Sequence, residues 1–441
     1  MLKTTLFIYS IISISVAGWV IETVDSTGDV GTYTSIALDQ NECPHISYMS
    51  ELFTNYFHHL KYAKWVGSGW QVQAIDTVND TLSGPFRKTS IILDDHDNPH
   101  IAYVRGHNST RTRLIKYAYW DGTTWDIQVI DTAWGYVSLA LDNSGHPHLS
   151  YTKGPLVHAR HDGTRWIIQN VDTSVTAWWT SIALDRRGYP HICYCNIRDW
   201  TLKYAKWDGS SWQIEIIDPN SVTGWHNSIT LDTTGQPHVS YVRYADQRLK
   251  YAWRSGAGWV IEDIDFSGFS LYATLATSIE LNDLAFPRII YYNQGDNAIK
   301  YAYWDGSRWI LEIVIPNACC GSLALTPSYY PRIACYDYQL ADLIYAKWIT
   351  SINEEINPYS NCELLFFSNP VTSCLSIKSV KPISGLVKLC LYNSSGQKVK
   401  ELAINGLRKT SLNVTDLATG TYFLIIKAEG RQAVKKLVIA R

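Results

Sequence analysis

The sequence contains one unit seven times, and the seventh copy lacks the last segment of the unit. The full unit reads Ser-Ile-Ala-Leu-Asp, a Gly turn, Pro-His-Ile-Ser-Tyr, a variable loop, Leu-Lys-Tyr-Ala-x-Trp-Asp-Gly-Ser-x-Trp and an apolar run that ends in Ile-Asp. Copy seven stops at Trp348, and the missing segment is found at residues 18–25, which match residues 258–265 almost residue for residue. A period of roughly 40 to 50 residues with four short strands per unit is typical of a β-propeller. A ring closed by the N-terminal strand explains the displaced segment.

Each copy has the period-two alternation of four strands, A to D, and therefore predicts one propeller blade. In copy three the strands are expected at residues 138–141, 147–151, 156–160 and 166–171. The A–B and C–D turns keep nearly constant length, whereas the other connections vary. Since strand order runs outward from the axis, one face of the ring is constant and the opposite one, which we name the variable face, carries the variable loops. Binding residues tend to lie on such loops.

Composition and the N-terminus indicate an exported protein. The 441 residues have a formal net charge of -2, which suggests neither a nucleic acid nor an anionic membrane as partner. Residues 6–17 form an apolar run behind Lys3 that is too short to span a bilayer and ends in the small residues Ser15-Val16-Ala17. We predict a signal peptide at residues 1–17, the propeller at residues 18–350 and no transmembrane segment in the mature chain.

Tryptophan placement supplies the candidate ligand site. Of 18 tryptophans, 13 belong to the repeat framework, and five lie in variable-face loops between blades two and five. The candidate ligand-binding residues are these five and two neighbours: Trp134, Tyr136, Trp178, Trp179, Trp200, Trp225 and His226. Three roles are open: the rings fill gaps between blades, they form a platform on which the apolar face of a sugar stacks, or they form a protein-binding patch. Because blades six and seven have no such tryptophan, a ligand site is expected off-centre, toward blades three to five.

The Pro-His pairs resemble a metal constellation, but geometry argues against one. The histidines are His45, His100, His148, His191 and His238. Equivalent residues of adjacent blades should lie on the order of 10 Å apart, whereas zinc needs nitrogens at about 2.0 to 2.1 Å. We expect each histidine to bond within its own blade, to the aspartate of strand A, and we predict no metal and no cofactor.

Nine cysteines do not suggest a complete disulfide framework. Cys193 replaces a repeat serine and Cys335 a repeat tyrosine, so both are interpreted as core substitutions. The adjacent Cys319 and Cys320 have no explanation in the repeat.

The Asp-Gly-x-x-Trp turns, such as residues 121–125, loosely resemble the Asp-box turns of sialidase-like propellers, with a different spacing. Such turns are structural in that family, and neither its arginine triad nor its tyrosine nucleophile with an acidic partner can be assigned here. The variable face also has carboxylates, which are expected to be solvated loop charges: Glu51, Asp80, Asp199, Asp246 and Asp296.

After Trp348 the repeat ends, residues 351–362 form a predicted linker, and a different β pattern follows. Its motifs are Asn369-Pro370, a Leu-Tyr-x-x-x-Gly-x-x-Val hairpin at residues 391–399, Leu417-x-x-Gly-x-Tyr and a basic tail. This segment, residues 363–441, resembles the type A C-terminal sorting domain of the type IX secretion system. The resemblance implies a small immunoglobulin-like β-sandwich that serves as an export address across the outer membrane, and it implies the secretion machinery as a partner.

The sequence thus predicts an all-β, exported, monomeric binding protein with a seven-bladed propeller and a C-terminal sandwich. A glycan is the first expected ligand and a protein the second. A glycoside hydrolase or lyase, and a purely structural surface protein, are the alternatives; carboxylates paired about 5 to 10 Å apart on the variable face would favour the hydrolase.

Overall fold

The computed structural model describes residues 18–52, 57–79, 89–106, 113–220, 222–268, 277–349, 364–367, 374–393, 398–428 and 431–439. These residues form 33 β-strands. The described part of the chain contains no helix that could cross a membrane. The predicted signal peptide and the predicted linker lie outside the described residues.

Seven four-stranded antiparallel sheets form the blades, each ordered from the innermost strand outward. Blade 1 comprises β2 (Asp29–Leu38), β3 (Pro44–Leu52), β4 (Phe57–Trp65) and β5 (Trp70–Asn79). Blade 2 comprises β6 (Thr89–Leu93), β7 (Pro99–Gly106), β8 (Arg113–Trp120) and β9 (Trp125–Ala133). Blade 3 comprises β10 (Gly135–Leu141), β11 (Pro147–Thr152), β12 (Leu156–His161) and β13 (Trp166–Asp172). Blade 4 comprises β14 (Ala177–Leu184), β15 (Pro190–Asn196), β16 (Thr201–Trp207) and β17 (Trp212–Asp218).

The remaining blades follow the same order. Blade 5 comprises β18 (Trp225–Leu231), β19 (Pro237–Arg243), β20 (Arg248–Ser255) and β21 (Gly258–Phe266). Blade 6 comprises β22 (Thr277–Leu281), β23 (Pro287–Asn293), β24 (Ala298–Trp304) and β25 (Trp309–Pro316). Blade 7 comprises β26 (Ala318–Leu325), β27 (Pro331–Asp337), β28 (Asp342–Ile349) and, as its outer strand, β1 (Gly18–Asp25). The seven-bladed fold and its closure by the N-terminal strand are confirmed.

Contacts at the closing seam match those elsewhere in the ring. Trp19 of β1 packs edge to face on Trp348 with ring centroids 5.4 Å apart, as Trp70 packs on Trp65 at 5.6 Å in blade 1. Blade 1 approaches blade 7 so closely that a Cβ on Gly31 would lie 2.8 Å from the Cα of Leu343. Only glycine fits there, because a Cβ would clash with Leu343. The backbone φ of 105° at Gly31 is, in addition, one that residues with a side chain rarely adopt.

The repeat serine of strand A joins each blade to the next. Its hydroxyl accepts a hydrogen bond from the backbone N–H one residue beyond the equivalent serine of the following blade. The seven bonds are 3.1 to 3.3 Å long and run from Ile91 to Ser35, Leu139 to Ser90, Ile182 to Ser138, Ile229 to Ser181, Ile279 to Ser228, Leu323 to Ser278 and Ile36 to Ser322. Strand A is the inner edge of its sheet, so these N–H groups have no strand partner on that side. The serines satisfy them and complete a ring.

A second joint links an aspartate near the end of strand D to a fully buried tyrosine on strand B of the next blade. The tyrosine hydroxyl donates to the carboxylate at 2.5 to 2.8 Å in Tyr48–Asp25, Tyr103–Asp76, Tyr151–Asp131, Tyr194–Asp172, Tyr241–Asp218 and Tyr291–Asp265. We call this the Tyr–Asp clasp. Between blades 6 and 7 both partners are replaced by the buried residues Ile315 and Cys335, which agrees with the interpretation of Cys335 as a core substitution. Asp25 makes the clasp across the seam.

The histidines bond within their own blades, as expected, but the nearest partner differs. Nδ1 of His45 lies 2.7 Å from the hydroxyl of Tyr62 on strand C, whereas Nε2 lies 3.6 Å from Asp39. The other four Pro-His histidines have Nε2 3.6 to 3.9 Å from the strand A aspartate. Burial lowers the pKa of His45 to about 4, so the ring is neutral at pH 7. The aspartate is the more distant partner because it also caps the A–B turn, where Asp39 accepts from the amides of Asn41 and Cys43.

The Asp-Gly-x-x-Trp turns are structural as well. Asp121 accepts hydrogen bonds from the backbone amides of Thr123 and Thr124 at 2.7 Å. These bonds, the Thr124 amide first, lower the pKa of Asp121 to about 2.

The C-terminal residues form a separate sheet. Its strands are β29 (Leu364–Phe367), β30 (Cys374–Asn393), β31 (Lys398–Asn413), β32 (Gly420–Ala428) and β33 (Arg431–Ile439). The sheet order is β29-β30-β32-β33, and β31 pairs with β30. Alternate residues of the long strands, such as Val387, Leu389 and Leu391, lie in one buried cluster, as expected when one face of a sheet is covered. The five strands are consistent with the predicted sandwich, which stays a prediction.

Candidate functional site

The inner strands of five blades carry a β-bulge where they begin at the variable face. The residue inside each bulge is not glycine yet has positive φ: Tyr33 (55°), Tyr136 (50°), Trp179 (42°), His226 (51°) and Cys320 (57°). The strand registers shift at the same five places. The inner strands of blades 2 and 6 begin at Thr89 and Thr277, and the residues before them lie outside the described part. Bulky residues rarely adopt this conformation, and bulges often redirect a side chain next to a binding site.

Neighbouring blades hold four of these bulges in place. The bulge carbonyl accepts a hydrogen bond from a strand A side chain of the following blade. The bonds are Thr89 to Tyr33 (2.8 Å), Asn227 to Trp179 (2.5 Å), Thr277 to His226 (2.7 Å) and Thr34 to Cys320 (2.6 Å). The strained backbone is therefore fixed by the packing of the ring, and the bulge side chains have defined positions.

Six of the seven predicted site residues come together in one stack. Trp225 stacks against Trp179 (ring centroids 4.7 Å apart), Trp200 (5.5 Å) and Tyr244 (5.1 Å). Trp179 also contacts Tyr136 (5.5 Å), Trp178 (5.3 Å) and His226 (5.1 Å). We call these residues the aromatic cluster: Tyr136, Trp178, Trp179, Trp200, Trp225, His226 and Tyr244.

The aromatic cluster has a buried part and an accessible part. The exposed fractions of Tyr136, Trp179 and Trp225 are 8%, 8% and 9%, and the indole Nε1 atoms of both tryptophans are buried with no hydrogen-bond partner. These rings fill space between blades 3, 4 and 5. Trp178, Trp200, His226 and Tyr244 are partly exposed. Only these four can offer a ring surface to a ligand without rearrangement.

Trp134 is the most exposed of the seven predicted residues, at 52%. Among the described contacts it shares none with the aromatic cluster. Its ring lies beside Gly154, where an added Cβ would be 3.7 Å from the indole, and its carbonyl accepts from Arg113 at 2.9 Å.

Tyr136 has a strongly perturbed hydroxyl. Burial raises the pKa of Tyr136 well above its usual range, Tyr33 and Cys195 raise it further, and Arg113 opposes them. The phenol is therefore protonated at neutral pH and suits a hydrogen-bonding role rather than that of a base.

Sequence reasoning missed Tyr33, Cys320 and Tyr244. Tyr33 and Cys320 occupy the position two residues before the strand A serine, the same position as Tyr136, Trp179 and His226. An aromatic residue at this position in four of seven copies was the available signal. Tyr244 lies in the B–C loop of blade 5, where the sequence offers no repeat position to compare.

Three of the five predicted carboxylates of the variable face are described, and each of them is engaged by a neighbour. Asp199 accepts from the amide and hydroxyl of Thr201. Asp246 pairs with Arg243 at 3.2 Å, and Asp296 pairs with Lys300 at 2.9 Å. The side chain of Glu51 and all of Asp80 lie outside the described part of the chain. Within that part, no group of three or more histidines, cysteines or carboxylates is placed to hold a metal ion.

Comparison with known proteins gives a family for the C-terminal segment and a fold for the propeller. Residues 366–440 match the family model of the secretion system C-terminal sorting domain. This match confirms the resemblance to the type IX sorting domain and indicates export to the cell surface or secretion. No curated protein matches the chain.

Several solved structures align with the propeller. An ulvan lyase, reported as a new family of polysaccharide lyase, aligns with a TM-score of 0.51 at 14% identity, over 75% of this chain and 96% of that chain. The same lyase bound to GlcA(1-4)Rha3S aligns with a TM-score of 0.52 at 14% identity and the same coverage. A mutant of Aleuria aurantia lectin in complex with alpha-methyl-L-fucoside aligns with a TM-score of 0.46 at 12% identity, over 65% of this chain and 96% of that chain. At 14% identity the likeness to the lyase concerns the fold alone.

Proposed function

We propose that this protein is an exported binding protein whose propeller recognises a glycan through the accessible part of the aromatic cluster. The observation that carries the proposal is the arrangement of Trp178 and Trp200. Both rings are partly exposed, yet each packs against a buried tryptophan, Trp179 or Trp225. Flat rings with a polar edge suit the apolar face of a pyranose.

Preorganisation supports the same proposal. The stack and the fixed bulges hold these rings before any ligand arrives, so little side-chain entropy is lost on binding. His226 and Tyr244 are partly exposed and pack on Trp225, the buried ring that also carries Trp200, and they supply polar groups that can bond sugar hydroxyls. The net charge of -2 adds no electrostatic preference of its own, which fits a neutral saccharide as well as a weakly charged one.

Binding is favoured over glycoside hydrolysis because three carboxylates of the variable face, Asp199, Asp246 and Asp296, are engaged in a turn and in ion pairs. A hydrolase needs two carboxyl groups positioned to act on one glycosidic bond. A turnover assay on each glycan that binds separates these classes.

The test is a glycan array probed with the full chain, the Trp178→Ala variant and a matched control, Trp120→Ala. Trp120 is also partly exposed and packs edge to face on a second tryptophan, Trp125 at 5.7 Å, but it precedes a C–D turn on the constant face. We expect selective binding that Trp178→Ala weakens by about 1 to 3 kcal/mol, taking base stacking on aromatic rings as the guide, and that Trp120→Ala leaves unchanged. Equal losses in both variants, or no glycan bound by the parent, would contradict the proposal.

A further inference from the structure

Cys319 and Cys320 form a dithiol at the mouth of the ring. Their Sγ atoms lie 3.2 Å apart within the bulge that begins the inner strand of blade 7. Cys320 is buried and Cys319 is partly exposed. The pair occupies the same place in blade 7 that Trp178 and Trp179 occupy in blade 4.

The surroundings hold this pair in position. The Cys320 carbonyl accepts from Thr34 of blade 1 at 2.6 Å, and the φ of Cys320 is 57°. Burial raises the pKa of the nearby Tyr292 hydroxyl, and Tyr338 and then the two thiols raise it further. Other described cysteines are engaged differently: Cys195 donates to the carbonyl of Thr223 at 3.3 Å.

We propose that Cys319 and Cys320 are a redox-active pair that closes to a vicinal disulfide after export. The sorting domain indicates that the chain is delivered to the cell surface or secreted. Disulfides form and persist in such oxidising surroundings, unlike in the reducing cytosol. In the reaction both S–H bonds break and one S–S bond forms. The two electrons and two protons pass to a disulfide oxidant, protein or small molecule, which is reduced to two thiols.

Adjacency makes the bond reversible. Neighbouring Cα atoms are about 3.8 Å apart, less than the roughly 4.4 to 6.8 Å of ordinary disulfides, so closure strains the backbone. Strained disulfides are more readily reduced and are the labile or regulatory ones. The pair is therefore suited to report the redox state of the surroundings at the rim of the variable face.

Tryptic mapping tests the proposal, because residues 309–332 form one peptide that contains both cysteines and no third. The full chain is equilibrated with an oxidising mixture of oxidised and reduced glutathione, then unfolded in denaturant with N-ethylmaleimide, so that buried thiols also react. We expect this peptide to be unlabelled and lighter than the dithiol by two hydrogen atoms. After reduction with dithiothreitol it should carry two maleimides.

Other products would overturn the proposal. Two maleimides without reductant would show that the pair stays reduced, and a glutathione adduct would show that it cannot close. Cys335 is the competing partner, because it is buried opposite the bulge; burial raises its pKa, and Asp337 and Cys320 raise it further. A cross-link between peptides 309–332 and 333–347 would assign the bond to Cys335 instead. The variant Cys335→Ala should keep the vicinal bond, whereas Cys319→Ser should leave one reactive thiol.

Discussion

The Tyr–Asp clasp at the seam makes a quantitative prediction. Asp25 of the N-terminal strand accepts from the buried Tyr48 hydroxyl at 2.7 Å and pairs with Lys61. Burial alone would raise the pKa of Asp25, but the hydrogen bonds from Lys61, Tyr48 and the amide of Thr27 outweigh it and hold the pKa below its usual value. The variant Asp25→Leu leaves a buried hydroxyl without an acceptor and an ammonium group without its counter-charge.

Removing one partner of a buried charged pair costs about 3 to 5 kcal/mol. With an unfolding entropy of about 2.1 cal/mol/K per residue over a propeller of about 330 residues, this loss corresponds to a fall of about 4 to 7 °C in Tm. The double variant Asp25→Leu/Tyr48→Phe should regain about 1 to 3 kcal/mol, since no buried hydroxyl is left unpaired. The chain itself carries such an apolar pair at Ile315 and Cys335.

The matched control is Asp172→Leu, which breaks the equivalent clasp to Tyr194 away from the seam. Thermal unfolding followed by circular dichroism measures all three variants. If the N-terminal strand closes the ring, the two single variants lose similar stability. A loss in Asp172→Leu with none in Asp25→Leu would refute closure through this contact.

Three further predictions concern pH, packing and export. Burial lowers the pKa of His45 and His191 to about 4 from about 6.5 in the unfolded chain, so the unfolded state binds the proton first as pH falls. Stability is therefore highest above about pH 6.5 and falls toward pH 4 by about 3 kcal/mol per histidine. Near pH 5 the variant His191→Gln should show a smaller slope of unfolding free energy against pH, by the equivalent of about one bound proton, when denaturation is measured at several pH values. Trp225→Ala should cost about 3 to 5 kcal/mol in thermal unfolding because the buried ring leaves a cavity among its neighbours; an unchanged Tm would contradict this packing role. Deleting residues 363–441 should leave the propeller in the periplasm of its native host, and normal surface delivery, measured by cell fractionation, would exclude the tail as the export address.

The repeat made the fold predictable, because closure of seven similar units into a ring allows few alternatives. The match of residues 18–25 to strand D located the seam correctly. The role of Ser35 could not be derived in the same way. Its position in the repeat was visible, but its partner is the amide of Ile91 in the next blade, and such bonds depend on how blades stack.

The site was only partly predictable, for a similar reason. Sequence grouped Trp134 with Trp225, since both are variable-face tryptophans outside the framework. Their exposure differs because Trp225 is covered by Trp200 and Tyr244 from other loops, whereas Trp134 lies at the surface. The bulges were missed because local sequence favours ordinary strand geometry for aromatic residues, and only contacts such as that of Thr89 with Tyr33 hold the left-handed backbone.

The most direct test of glycan recognition by the aromatic cluster is a crystal structure of the full chain with an oligosaccharide that binds in the array. We predict a pyranose ring stacked on Trp178 or Trp200 at about 3.5 to 4.0 Å, the contact distance of non-bonded carbon atoms. Its hydroxyls should bond His226 or Tyr244, and the buried rings of Trp179 and Trp225 should keep their stacking. A saccharide bound on the constant face, or on the variable face away from Trp178 and Trp200, would contradict the proposed site.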